Sequence, residues 1–392
     1  MQRIGLVLLS VPGYSETFFR SKIKGLQANG FEVLLFVLYP PKGTESLPCD
    51  VFVSPNFNGR FLSKSLSVFR ALLQILFVSP FRSKTLFQLD RSDGKSWNAS
   101  FKNLIFNQFI ISKQLDWLHF GFGTVAVGKE NLAKTMSAKM AVSFRGFDLY
   151  LSPLKRSNYY NLLFKKAVKY HVLSQEMKAD LVIKGVSIGQ IVVITPAIDT
   201  SHFKVGHSQT TSSSRLSILT VARLHWKKGL EYSLEAMAVL KRLGISFEYT
   251  IIGTGDELER LLFAAHQLGI SEEVRFLGQQ TPKAVKDYMI ASDVYVQYSI
   301  QEGFCNAVLE AQATGLLCVV SDAEGLAENV MDGITGFVIP KRNPEVLART
   351  IEKLLYLTED KKVKMKEAAI ERIQANFNLA KQEKEFLAFY SN

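Results

Sequence analysis

Cysteine is scarce in this chain: Cys49, Cys305 and Cys318 are scattered over 392 residues without a C-x-x-C pair. That excludes a disulfide framework and a cysteine zinc site, and it suits a reducing cytoplasm. Long apolar runs are missing too. The nearest, "ALLQILFVSPF", is eleven residues, against the roughly 18 to 20 of a membrane span. "IGLVLL" after Arg3 imitates a signal peptide, but it is short, lacks a clear small-residue cleavage site and leads straight into a charged amphipathic segment. It reads as a buried first strand. Among nucleotide and metal signatures, G-x-x-x-x-G-K-[ST], H-E-x-x-H and a D-x-D pair are all absent, so the sequence predicts no bound metal.

Acid is in short supply in the front half. Residues 1–204 hold 26 Lys/Arg against 12 Asp/Glu, net +14, whereas residues 205–392 hold 21 against 24, net −3. Between Arg60 and Lys113 only Asp90 and Asp93 are acidic, and cations interleave with apolar groups in "RFLSKSLSVFRALLQILFVSPFRSK". That texture suits an interfacial amphipathic element on an anionic membrane better than a groove tracking nucleic acid. An ordinary solvated basic face is the alternative.

What is present is α/β alternation. "IGLVLL", the loop "SVPGYSE", the helical "TFFRSKIKGLQANG" and "FEVLLFVLY" make a β-α-β unit within forty residues. "LDWLHF", "MAVSF", "YHVLS" and "QIVVIT" continue it, and the back half reads as six buried strands from "LSILTVARL" to "GFVIP" separated by helical patterns. Thr281 and Pro282 cap the helix "KAVKDYMIASD". The composition turns polar at Val205 to Ser217. The expected organisation is two doubly wound, Rossmann-like domains facing across a cleft: 1–204, a linker 205–217, 218–370, and a last helical segment 371–392 packing back towards the first domain.

In such sheets ligands sit beyond the strand C-termini. After "LSILTVA" come Arg223 and Lys228, two cations beside a helix start, suited to a diphosphate; an exposed basic loop is the plain alternative. After "EYTII" come Gly253 and Gly255, a lone G-x-G that reads equally as a strand-to-helix turn. After "DVYVQYS" comes "EGFCNAVLE", with Glu302 at the lip of a helix and Glu310 two turns in. A rise of 1.5 Å per residue separates these acids by about 12 Å along the axis, beyond the roughly 5 to 10 Å of a glycosidase pair. The spacing fits two acceptors on separate hydroxyl-bearing ends of an elongated ligand, with the N–H groups of Gly303 and Phe304 meeting an anion between them. A nucleotide-sugar has that layout. A capping Glu302 with a solvated Glu310 is the structural alternative.

In this order, R-x4-K-G, "IIGTG", "VRFLG", "EGFCNAVLEAQATG" and "ENVMDGITGFVIP" resemble the nucleotide-binding domain of GT-B-fold retaining glycosyltransferases of family 4, over residues 215–342. "SETF", "LHFGFG" and "SFRGFD" look like features of exopolysaccharide- and colanic-acid-type members. The resemblance assigns Arg223 and Lys228 to the donor diphosphate, Glu310 to ribose hydroxyls and Glu302 to the transferred sugar. Gly253, Gly255, Gly303, Phe304, Cys305 and Asn306 complete the donor loops, and the "PGYSE" loop with Gly13 and Ser15 approaches the phosphates from the other domain. Many relatives carry histidine where this chain has Arg145, which would contact donor phosphate or acceptor, or brace Asp148. His119 is the surviving candidate imidazole, or a structural histidine at a strand end.

The implied activity is sugar transfer from a nucleoside diphosphate to an acceptor hydroxyl with retention, of hexosyltransferase type, in surface polysaccharide or lipopolysaccharide synthesis. No cofactor beyond the co-substrate is implied; the acceptor is a glycan or lipid-linked, nucleic acid is not a partner, and the place is cytoplasmic, peripheral on the membrane. A GT-B-fold epimerase or phosphorylase is the rival enzyme, and a noncatalytic nucleotide-sugar-binding protein the rival class.

Overall fold

The computed structural model describes residues 1–13, 17–40, 47–55, 61–156, 158–205 and 215–391. The chain divides into two compact units: the first holds residues 1–172, 178–194 and 383–392, the second 173–177 and 195–382.

The first unit is a seven-stranded, fully parallel sheet. Its strands are β1 (Arg3–Leu8), β2 (Glu32–Val37), β3 (Asp50–Val53), β4 (Trp117–Phe120), β5 (Lys139–Ser143), β6 (Val168–Val172) and β7 (Ile191–Val193), in the order β3-β2-β1-β4-β5-β6-β7. Strands covered by helices on both faces need no polar alternation, which is why β1 and β2 are each buried along five consecutive residues. In the second unit β8 (Leu216–Val221), β9 (Phe247–Ile252), β10 (Val274–Phe276), β11 (Val294–Gln297), β12 (Leu317–Ser321) and β13 (Phe337–Ile339) run parallel in the order β10-β9-β8-β11-β12-β13. Both sheets reverse direction of growth once, at β1/β4 and at β8/β11, the doubly wound pattern expected from the sequence. Thr281 caps its helix as read, its hydroxyl accepting from the Ala284 N–H at 3.2 Å beside Pro282.

The seam between units falls elsewhere than the composition change suggests. Ile198 and Phe203 are buried, and the Ile198 N–H donates to the Phe377 carbonyl at 2.9 Å. These contacts commit residues 195–205 to the second unit, so the first ends at Ile194 instead of residue 204. Of the expected linker, 206–214 lie outside the described residues, and Leu216 and Ser217 already belong to β8.

Residues 371–392 likewise divide. The helix Glu359–Asn376 stays in the second unit with Ile373 buried, while residues 383–391 of the helix Leu379–Ser391 join the first. There Phe386, Phe389 and Tyr390 fill the face of β4 to β6, and the helix's last carbonyls are satisfied by the sheet: Trp117 Nε1 donates to the Tyr390 carbonyl at 3.0 Å and Lys169 Nζ to that of Phe389 at 2.6 Å. Losing a buried phenylalanine costs about 3–5 kcal/mol, and a domain's whole stability is about 5–15 kcal/mol. Truncation after Gln382 is therefore expected to leave the first unit unfolded, seen as loss of the higher-order melting transition and of protection from trypsin.

Candidate functional site

The exits of β8 and β11 lie side by side at the switch point of the second sheet, and they carry the charged motifs. Three glycines let these loops close on one another. Gly229 has φ +63°, and a Cβ there would lie 2.1 Å from the Tyr298 carbonyl oxygen. Carbons at Gly253 and Gly255 would lie 1.9 and 2.1 Å from the carbonyl oxygens of Ala222 and Leu224. The G-x-G turn thus presses against the loop carrying Arg223, tied by the Leu224 N–H to the Thr254 carbonyl at 2.9 Å. Its glycines are required by backbone packing, whatever ligand lies near.

The β8 loop is also stitched to the β11 loop. Ile300 and Gln301 donate their N–H groups to the Lys227 carbonyl at 2.7 and 3.2 Å. This brings Lys228 onto Glu302: ammonium and carboxylate form an ion pair whose side chains are only 11% and 12% exposed. Burial pulls the Lys228 pKa down, but the Glu302 carboxylate outweighs it and holds the ammonium above its ordinary value. Arg223 is exposed and close enough to repel Lys228, and no hydrogen bond or ion pair engages its guanidinium among the described residues. One cation is thus fixed and one is available.

Glu302 is held from behind. Its N–H donates to the Glu324 carboxylate at 3.0 Å; Glu324 sits at φ +29°, with Lys341 Nζ at 3.3 Å. Gly325 backs onto Gly303, where a Cβ would come within 1.9 Å of the carbonyl oxygen. The buried Asn329 clamps Cys305 on both sides, its Oδ1 accepting from the Cys305 N–H at 3.2 Å and its Nδ2 donating to the Cys305 carbonyl at 2.8 Å. The Cys305 N–H is therefore taken, and burial pushes its thiol up to about 11. The N–H groups of Gly303 and Phe304 have no hydrogen-bond partner among the described residues. They precede the helix Asn306–Ala313, whose first residue is part-buried. Glu324, Gly325 and Asn329 were not singled out from the sequence, although "SDAEG" follows β12, the neighbour of β11, and strand exits are where a site is built.

Glu310 lies within that helix. No ion pair or hydrogen bond reaches its carboxylate among the described residues, and burial pushes its pKa up to about 7. A carboxyl group whose folded pKa is raised binds protons more readily in the native state. Its favourable contribution is complete below the unfolded value and is lost as pH rises through about 7. Glu310→Gln should therefore melt higher than the wild type at pH 8, with the difference closing towards pH 5. A constant difference across that range would mean the carboxylate is not strained.

The remaining candidates belong to the first unit. His119 is inside β4, not at its end, and is fully buried. Its Nε2 shares a hydrogen with Ser143 Oγ at 2.8 Å, while Nδ1 faces the Tyr390 hydroxyl and, at 3.3 Å, Lys22 Nζ. Burial and the Lys22 charge push it well below an ordinary histidine. Both nitrogens are used in the core, so His119 sits as a structural histidine with neither nitrogen turned to a substrate. The Arg145 guanidinium lies over the Phe18 ring at 3.7 Å, and its main-chain N–H donates to Asp148 at 3.3 Å. Burial nevertheless lifts Asp148 to about 6. Gly13 is exposed after β1 with open space where a Cβ would stand; Ser15 lies outside the described residues. No group of three or more His, Cys, Asp or Glu side chains is placed to hold a metal among the described residues.

Residues 207–372 match the family of glycosyl transferases group 1. The chain is similar to the amylovoran biosynthesis glycosyltransferase AmsK of Erwinia amylovora, 28% identical over 60% of this chain and 60% of AmsK. It is also similar to the putative colanic acid biosynthesis glycosyltransferase WcaL of Escherichia coli K12, 26% identical over 96% of both chains. In fold it matches HepE of Anabaena in complex with UDP (TM-score 0.75, 18% identity, all of both chains) and sucrose-phosphate synthase of Thermosynechococcus elongatus (TM-score 0.73, 18% identity, all of this chain and 98% of the other). The fold is the one shared by GT-B glycosyltransferases, two parallel-sheet α/β units.

Proposed function

We propose that this chain transfers a sugar from a nucleoside-diphosphate donor to an acceptor hydroxyl with retained configuration, as a family 4, hexosyltransferase-type enzyme of surface polysaccharide or lipopolysaccharide assembly. The observation that carries the reading is the Lys228–Glu302 pair at the switch point, with Arg223 beside it and Glu310, which has no partner among the described residues, further along the same loop and helix. The names of the relatives, in amylovoran and colanic acid synthesis, support the setting.

In this reading the bond from the anomeric carbon to the diphosphate oxygen breaks, and its electron pair leaves with the diphosphate. Arg223, Lys228 and the Gly303 and Phe304 N–H groups stabilise that charge. Glu302 faces the sugar as positive charge grows at the anomeric carbon, and Glu310 takes ribose hydroxyls. The acceptor oxygen bonds on the face the diphosphate leaves, and its proton passes to a leaving phosphate oxygen. The fixed Lys228 and the available Arg223 do the work a divalent ion would do, so EDTA should leave the rate unchanged. The protein works on the cytoplasmic side, where nucleotide-sugars are made.

Melting the protein with a panel of nucleoside diphosphates and nucleotide-sugars tests donor recognition. One nucleotide should raise the melting temperature saturably, and its sugar conjugate at least as much. A panel without any shift would remove the reading.

A further inference from the structure

Three helices of the first unit, Phe61–Leu73, Pro80–Ser92 and Trp97–Phe106, lie outside the site at the β8/β11 switch point and turn large apolar side chains outward. Leu66, Phe69 and Leu73 recur at helical spacing and are all exposed, so they form one stripe. The stripe runs into Gln74–Val78, a wider helical turn, and the chain then bends by 108° between Ser65–Val78 and Pro80–Ser92. Exposure peaks at that elbow: Leu76 is 64%, Phe77 79% and Phe81 85% exposed, with Trp97 at 69% on the helix packed beside it. Polar contacts tie the elbow to the short helix Gln108–Ile111. Ser79 Oγ donates to Gln108 Oε1 at 2.8 Å, and Arg82 Nη1 donates to the Ile111 carbonyl at 2.9 Å.

The charge on this surface has one sign. Arg70, Lys84 and Lys102 are exposed between the apolar groups. The segment's acids are both neutralised internally, Asp90 fully buried against Lys95 at 3.0 Å and Asp93 paired with Lys166 at 2.7 Å. No single helix among the described residues is long and apolar enough to cross a bilayer.

We propose that this elbow seats the protein on an anionic lipid bilayer, with Leu76, Phe77, Val78 and Phe81 entering the headgroup-acyl boundary and Arg70, Lys84 and Lys102 on the phosphates. Charge complementarity selects this occupant: a surface of Phe, Leu, Trp, Lys and Arg without a free acid matches anionic headgroups over acyl chains. A vertex with its most exposed side chains at the bend enters a fluid layer, whereas a second protein copy would need a matched cavity. The proposal stands whether or not the chain transfers sugar.

The test is flotation of the full chain with vesicles of phosphatidylcholine containing one third phosphatidylglycerol, against pure phosphatidylcholine. Binding should favour the anionic vesicles by roughly a hundredfold, about the effect of three surface cations, and should weaken at high salt. The variants Phe77→Ser/Phe81→Ser and Arg70→Gln/Lys84→Gln/Lys102→Gln, checked for unchanged circular dichroism, should each lose roughly a hundredfold on anionic vesicles. Equal binding to both vesicle types, absence of binding, or variants floating like the wild type would overturn the proposal. So would wild-type dimerisation abolished by the same substitutions without vesicles. If a variant misfolds, the vesicle and salt comparison on the wild type still decides.

Discussion

Glu302→Gln is expected to cut sugar transfer by roughly 10³ while nucleoside diphosphate affinity stays level or rises. The substitution keeps shape and hydrogen-bonding reach but deletes the negative charge that the proposed mechanism sets against the anomeric carbon. It also deletes the partner of the Lys228 ammonium, which then has only phosphate to meet. Calorimetric titration of the diphosphate beside a transfer assay separates the two effects. Parallel losses of affinity and turnover would mean that Glu302 holds the nucleotide, and the order of the two acids along the donor would be reversed.

Arg223→Ala and Lys228→Ala should each lower turnover by roughly 10² to 10³, the loss seen when a preorganised group facing developing charge is removed. Their stability effects should differ. Lys228→Ala strands the Glu302 carboxylate in a part-buried site; a fully buried orphan costs about 3–5 kcal/mol, and somewhat less is expected at this exposure. Arg223 has no partner to strand among the described residues, so its removal should leave the melting temperature within error. The double variant Lys228→Ala/Glu302→Gln should regain the lost stability and none of the activity. A stable Lys228→Ala single variant would show that the pair is not structurally coupled.

Much of the fold was legible because buried parallel strands announce themselves as unbroken apolar runs, as in β1, β2 and β12. The edge strand Asp50–Val53, four residues long and mostly exposed, gave too short a run and was missed. The division of the chain was only partly readable. Polarity marks where a segment lacks core residues, but which unit Ile198 and Tyr390 pack into depends on partners far away in sequence. The site's charged groups were readable from position, since Arg223, Lys228 and Glu302 each follow a strand. Their pairing was not, because it depends on register across β8 and β11. Asn329 escaped for the same reason: its clamp on Cys305 joins residues 24 apart through adjacent strand exits. His119 shows the opposite failure. A polar side chain inside an apolar run looks functional until Tyr390, Lys22 and Ser143 are seen closing its ring nitrogens.

The central claim is that one site at the β8/β11 switch point breaks a sugar-diphosphate bond and remakes the sugar linkage on the same face. The direct measurement is proton NMR of the reaction of the stabilising nucleotide-sugar with a lipid extract, following nucleoside diphosphate release and the new anomeric signal together. The account predicts one diphosphate per new glycosidic bond, an anomeric coupling of the same configuration as the donor's, and neither product with Glu302→Gln. Saturable donor binding without release from any extract, or a product of inverted configuration, would contradict it.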